Sequence, residues 1–114
     1  MLQPIEQPED IVQYDYYISG SMSGYDDHNF PAFNREANRL REEGFTVFNP
    51  AESFNGNTNH EWEDYIRVDT MAVARCENIL MLPGWRRSRG ACFEYLIAKT
   101  LGLNIHKVRI EDQE

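Results

Sequence analysis

The chain has 114 residues, 41% hydrophobic and 26% charged, and its 19 acidic against 11 basic side chains leave a formal charge of −8. That length accommodates one compact domain, with a core large enough to need neither disulfides nor a structural metal. The acidic excess disfavours long nucleic acids and anionic membranes, while a small anion remains open to a local cluster of arginines.

Residues 1–13 place Pro4 and Pro8 among Gln, Glu and Asp, too polar for a core and too broken for a helix, so a flexible tail is expected. Tyr14 to Ser19 is aromatic and β-branched and runs into Gly20-Ser21-Met22-Ser23-Gly24, a strand ending in a small-residue loop. From Pro31 to Glu43 the positions of Phe33, Ala37 and Leu40 repeat at helical spacing, with Gly44 as the stop. Phe45 to Asn49 reads as a second strand ended by Pro50, and Ala51 to Asn59 as a loop. Helical periodicity returns from His60 to Cys76. Asn78 to Leu82 is a continuous apolar run closed by Pro83-Gly84, as expected of a strand covered on both faces. A further helix runs to Leu101 and stops at Gly102, and Asn104 to Ile110 reads as the last strand.

This alternation predicts an α/β fold, a small flavodoxin-like (Rossmann-like) parallel sheet with helices on both faces. One domain is expected over residues 14–110, followed by an acidic tail over 111–114. Cys76 and Cys92 fall in stretches that read as helical and lack CxxC spacing, which fits a reducing cytoplasm. The chain shows neither a run of eighteen apolar residues nor the basic and apolar start of a secretion signal, so a soluble, unexported protein is expected. His60-Glu61 does not extend to HExxH, because Asp64 takes the final position, and His28 and His106 are scattered. No metal and no cofactor are expected.

Ligands of open α/β sheets bind past the carboxyl ends of the strands, here the loops over residues 20–24 and 84–90. The first offers backbone N–H groups for close approach to an anion, although it matches neither a Walker loop nor GxGxxG and also reads as a plain glycine turn. The second leads Ser88 and Gly90 into a helix N-terminus, with its partial positive charge and unpaired N–H groups. Asp69 falls within the apolar stripe of Trp62, Tyr65, Ile66, Ala72 and Val73, and Glu94 within that of Ala91, Ile97, Ala98 and Leu101. Both carboxylates therefore point inward. Two such groups flanking one strand end imply a functional pocket, unless Asp69 merely accepts backbone N–H bonds and Glu94 pairs with an arginine such as Arg67. Arg86, Arg87 and Arg89 crowd the last loop, either to hold a phosphate or to solubilise it. Trp85 beside them either covers a base or packs on the sheet edge.

Three segments carry a family resemblance: Tyr17-Ile18-Ser19-Gly20-Ser21-Met22-Ser23-Gly24, Asp64 to Asp69, and Ser88-Arg89-Gly90-Ala91-Cys92-Phe93-Glu94. In this order and at these intervals they resemble the signature segments of the nucleoside 2-deoxyribosyltransferase superfamily, which includes the 2'-deoxynucleoside 5'-phosphate N-hydrolases. Asn29 to Asn34, Phe48 to Glu52 and Leu82 to Trp85 add a likeness to its DUF4406-like branch, common in bacteriophage and bacterial genomes. The resemblance covers residues 15 to about 105. It implies that Glu94 is the nucleophile, Asp69 the acid assisting the leaving base, and Tyr17 the aromatic residue that orients the nucleophile. Together with the reading of the loops, this places Gly20, Ser21, Gly24, Ser88, Gly90 and Arg89 around an expected phosphate, and Met22 and Trp85 against the expected base.

The nucleoside transferases of that superfamily carry an aspartate at the place of Ser88, where the nucleotide hydrolases carry a serine, and an aspartate there would repel a phosphate. The resemblance thus implies a 5'-monophosphate substrate. The hydrolases also carry an arginine two residues after the place of Ser21, where this chain has Ser23, so the phosphate charge falls to Arg86, Arg87 or Arg89. The implied activity is N-glycosidic cleavage of a deoxynucleoside monophosphate through a glutamyl-glycosyl intermediate. Base transfer and non-catalytic sequestration of a nucleotide signal are the alternatives. Expected partners are a small nucleotide or nucleoside and further copies of the chain, in a homodimer or higher oligomer within the cytoplasm, that of the host if the source is viral.

Overall fold

The computed structural model describes residues 13–54 and 62–108. All but the last residue of the expected tail over 1–13, the helix start at His60, the side chain of Trp62 and the acidic tail over 111–114 lie outside the described residues. Four parallel strands form the sheet: β1 (Tyr14–Ser19), β2 (Val47–Phe48), β3 (Cys76–Met81) and β4 (Asn104–Lys107). Their spatial order is β2-β1-β3-β4, the small flavodoxin-like arrangement. Three helices connect them: α1 (Phe30–Glu42), α2 (Trp62–Ala74) and α3 (Arg89–Leu101).

Strand periodicity divides the core between the two faces of the sheet. Ile18, Leu80 and Leu82 meet Phe33, Ala37 and Leu40 of α1 on one face. Tyr17, Ile79 and Met81 meet Ala72 and Val73 of α2 and Ala91 and Ala98 of α3 on the other. The apolar run of β3 is buried on both sides for this reason, as its composition predicts.

Several boundaries differ from expectation: β4 ends at Lys107 and β3 at Met81, and two further differences have a local cause. Cys76 does not end the second helix; it opens β3, opposite Tyr14 of β1. The helix closes at Ala74, Arg75 turns with its N–H on the Ala72 carbonyl at 3.0 Å, and the Cys76 thiol donates to the same carbonyl at 3.2 Å. The second strand is only two residues long. Its ladder is cut short because the Asp15 carboxylate accepts the Thr46 N–H at 2.8 Å and the Thr46 carbonyl and hydroxyl accept the Asp15 N–H in turn.

The ends of β1 and β3 run side by side, with the Leu82 N–H donating to the Ser19 carbonyl at 2.8 Å. Gly20 is required there, since a Cβ at this position would stand 2.9 Å from both Cβ and Cδ1 of Leu82. Strand order reverses at this β1–β3 junction, because β2 lies on one side of β1 and β3 on the other. It is the place where an open sheet of this kind binds ligands.

Candidate active site

Tyr17 and Ser19 are two residues apart on β1, so their side chains leave the same face of the sheet, the one covered by α3. Both reach Glu94. The Tyr17 hydroxyl donates to Glu94 Oε2 at 2.6 Å and the Ser19 hydroxyl to Oε1 at 2.7 Å. Tyr17, Ser19 and Glu94 are 0%, 1% and 5% exposed, so these bonds are made away from bulk water. Glu94's partners are therefore hydroxyls and not the guanidinium of Arg67, which lies 3.8 Å from Asp64 with its side chain 80% exposed.

Asp69, on α2, and Glu94, on α3, line one cavity of about 310 Å³. Burial pushes the Glu94 carboxyl up to about 8, the nearby Asp69 charge adds to this, and the Tyr17 and Ser19 bonds oppose it. Burial raises Asp69 to about 7, against a hydrogen bond with Tyr17. The Tyr17 phenol is held well above its ordinary value, first by burial and then by the two carboxylates, so it remains a proton donor. Both carboxyls thus hold protons into the neutral range, where ordinary carboxylates have lost theirs.

The first loop and the start of α3 add Gly20, Met22, Ser88 and Gly90 to the cavity wall. A second cavity of about 550 Å³ shares Ser23, Ser88 and Gly90 with the first and is completed by Ser21, Gly24, Tyr25, Arg87 and Arg89. Ser88 caps α3 by accepting the Ala91 N–H at 3.0 Å, which leaves the proton of its hydroxyl available to a ligand.

Two candidates lie elsewhere. Trp85 lines neither of these cavities; it stacks on Tyr95 with ring centroids 4.7 Å apart. The 3-10 turn Trp85–Arg87 swings the indole onto α3, and the Arg86 guanidinium lies 5.2 Å above it, so Arg86 leaves the loop's inner surface as well. Sequence reasoning missed Ser19, His28, Phe30 and Pro50. The spacing of Ser19 from Tyr17 was an available signal, whereas His28 and Phe30 reach the cavity through a backbone turn that periodicity does not encode.

Several asparagines near the site hold its loops. Asn29 Nδ2 donates to the Ser21 carbonyl at 2.9 Å, and Asn49 Nδ2 donates to Asn34 Oδ1 at 2.9 Å while its own Oδ1 accepts the Ala51 N–H. Arg41 grips Glu52 with two bonds of 2.7 Å and so fixes the 3-10 turn Pro50–Phe54, whose first residue lines the cavity. Among the described residues no group of three or more His, Cys, Asp or Glu side chains is placed to hold a metal, and no helix is long and apolar enough to cross a membrane.

A family model described as a domain of unknown function, DUF4406, matches residues 14–107. No curated protein matches the chain.

Proposed function

The chain belongs to the DUF4406 family, and we propose that it is an N-glycosidase that cleaves the bond between base and sugar in a deoxynucleoside 5'-monophosphate. The observation that carries this reading is the buried Glu94 carboxylate, held by two hydroxyls beside the half-buried Asp69 carboxyl on one cavity wall. The resemblance of its three segments to the nucleoside 2-deoxyribosyltransferase superfamily supports the same assignment of roles.

A phenol has a single proton, and that of Tyr17 is given to Glu94. The Tyr17 and Ser19 hydroxyls both donate to Glu94 and favour its ionised form against burial, and the reaction uses the protonation state in which Glu94 is ionised and Asp69 holds the proton of the pair. In the first step a Glu94 oxygen attacks C1' as the C1'–N bond breaks, and the base departs with the bonding pair and the Asp69 proton. The product is a glycosyl ester on Glu94. In the second step Asp69 takes a proton from water, the water oxygen attacks C1', and the ester bond breaks to return the Glu94 carboxylate, as in retaining glycosidases.

The second cavity suits the 5'-phosphate. Ser21, Ser88 and the N-terminus of α3 supply donors, and Arg87 and Arg89 border it. A homo-oligomer belongs to the same reading and is supported by Val68 and Met71 on α2 and Phe93 and Leu96 on α3, large apolar side chains that one copy leaves 44% to 59% exposed. Light scattering on the purified protein checks that state, and a monomer at working concentration overturns it.

Incubation with a panel of nucleosides and 5'-monophosphates, followed by chromatography for free base, tests the activity. Free base and deoxyribose 5-phosphate are the expected products. Tight nucleotide binding without base release would favour a sequestering protein, and base exchange on free nucleosides would favour a transferase.

A further inference from the structure

Three consecutive residues that are not glycine, Asp27, His28 and Asn29, hold left-handed backbone angles, with φ of 53°, 54° and 60°. A Cβ is disfavoured in that region, and Asn, Asp and His are the side chains found there most readily. A run of three persists only where surrounding contacts impose it, and such runs gather at functional sites. Here the turn is braced on two sides. Asn29 Nδ2 binds the Ser21 carbonyl at 2.9 Å, and the Tyr25 hydroxyl lies 2.7 Å from where a Cβ on Gly84 would stand.

The turn delivers His28 and Phe30 to the wall of the cavity that holds Asp69 and Glu94, with their rings 5.4 Å apart and inclined by 41°. Among the described residues lining that cavity, His28 is the only one with a nitrogen in its side chain. Asp69 and Glu94 are committed to the chemistry at C1', and Ser23 and Ser88 sit where the first cavity joins the second. A base departing from C1' is a flat ring with donors and acceptors along its edge. An imidazole matches it, because one flat ring offers both a donor and an acceptor.

We propose that His28 is the specificity-determining residue for the departing base, its ring nitrogens bonding the polar edge while Phe30 contacts the apolar face. The left-handed turn is the means of placing that ring, and the proposal rests on the N-glycosidase reading of the site. His28 is exposed in the free chain, and a polar contact that the bound base closes off from water discriminates between ligands that do and do not satisfy it.

Two measurements test it on the full chain. In the first, the His28 ring resonance, assigned by its loss in His28→Phe, is followed by NMR while free nucleobases and deoxyribose 5-phosphate are added separately. A shift with a base and none with the sugar phosphate is expected; a His28 signal unmoved by every base overturns the proposal. In the second, kcat/KM is compared across monophosphates with different bases. The preference between best and worst base should narrow by about tenfold or more in His28→Phe and by less in His28→Gln, which keeps a donor and an acceptor. An unchanged preference in both variants overturns the proposal. A wild type that releases no base from any nucleotide refutes the N-glycosidase reading, and the NMR titration still decides whether His28 meets the base.

Discussion

The Tyr17 hydroxyl and the Glu94 carboxylate, 77 residues apart in the chain, meet at 2.6 Å in the interior. A β-strand and a helix that share no local sequence relation thus build one hydrogen-bonded unit. The carboxylate is costly to bury, and the hydroxyls of Tyr17 and Ser19 offset part of that cost.

Replacement Glu94→Gln tests the nucleophile and the cost of burying it together. Base release should fall by about 10³-fold or more while the circular dichroism spectrum is retained. Folded-state values of about 8 for Glu94 and about 7 for Asp69 lie above those of the unfolded chain. The folded state therefore binds the extra protons. Stability is full below the ordinary carboxyl range and declines as pH rises from about 4.5 to about 8. The melting temperature of the wild type should fall across that window, and Glu94→Gln should flatten the decline. An equal slope in both proteins would contradict the buried, proton-binding Glu94.

Asp69→Asn removes the acid and also a negative charge beside Glu94. Poor leaving bases should be slowed far more than activated ones. The wild-type kcat/KM profile should be a bell with its maximum between about 7 and 8, the range set by the two carboxyls. In the variant the alkaline limb, set by loss of the Asp69 proton, should vanish, and the acid limb, along which Asp69 is already neutral, should not move to lower pH. Equal slowing of all bases with the alkaline limb retained would make Asp69 a structural residue.

Tyr17→Phe keeps the ring stacked on Phe48, where the centroids are 5.6 Å apart, and deletes one donor to Glu94. Turnover should fall by roughly 10- to 100-fold, the loss of one charge-assisted bond. The donor favours the ionised carboxyl, so its loss should move the acid limb of the profile to higher pH. A drop in rate with no such movement would mean that Tyr17 packs and does not orient.

Ser88→Asp preserves the cap on the Ala91 N–H, because aspartate is as good an N-cap as serine. It also brings a negative charge to the junction of the two cavities. KM for a monophosphate should rise by about 100-fold or more, with nucleosides spared or improved. Parallel losses on both substrates would remove the phosphate from this position.

The strand–helix alternation, the double-sided burial of β3 and the inward aim of Asp69 and Glu94 follow from spacing along the chain, because a period of two or of 3.6 assigns each side chain a face. Spacing does not say which element lies opposite that face. Glu94 meets Tyr17 and Ser19 instead of Arg67 because β1 lies centrally beside β3 with α3 above it. Trp85 turns to Tyr95, and His28 reaches the cavity, through local backbone angles that no hydrophobic pattern specifies. Cys76 passes from expected helix to strand because the pairing partner that claims it, Tyr14, is 62 residues away in the chain (76 − 14). Faces are set by local geometry, whereas partners are set by sheet order and register, which arise only when distant segments compete to bury the same apolar surface.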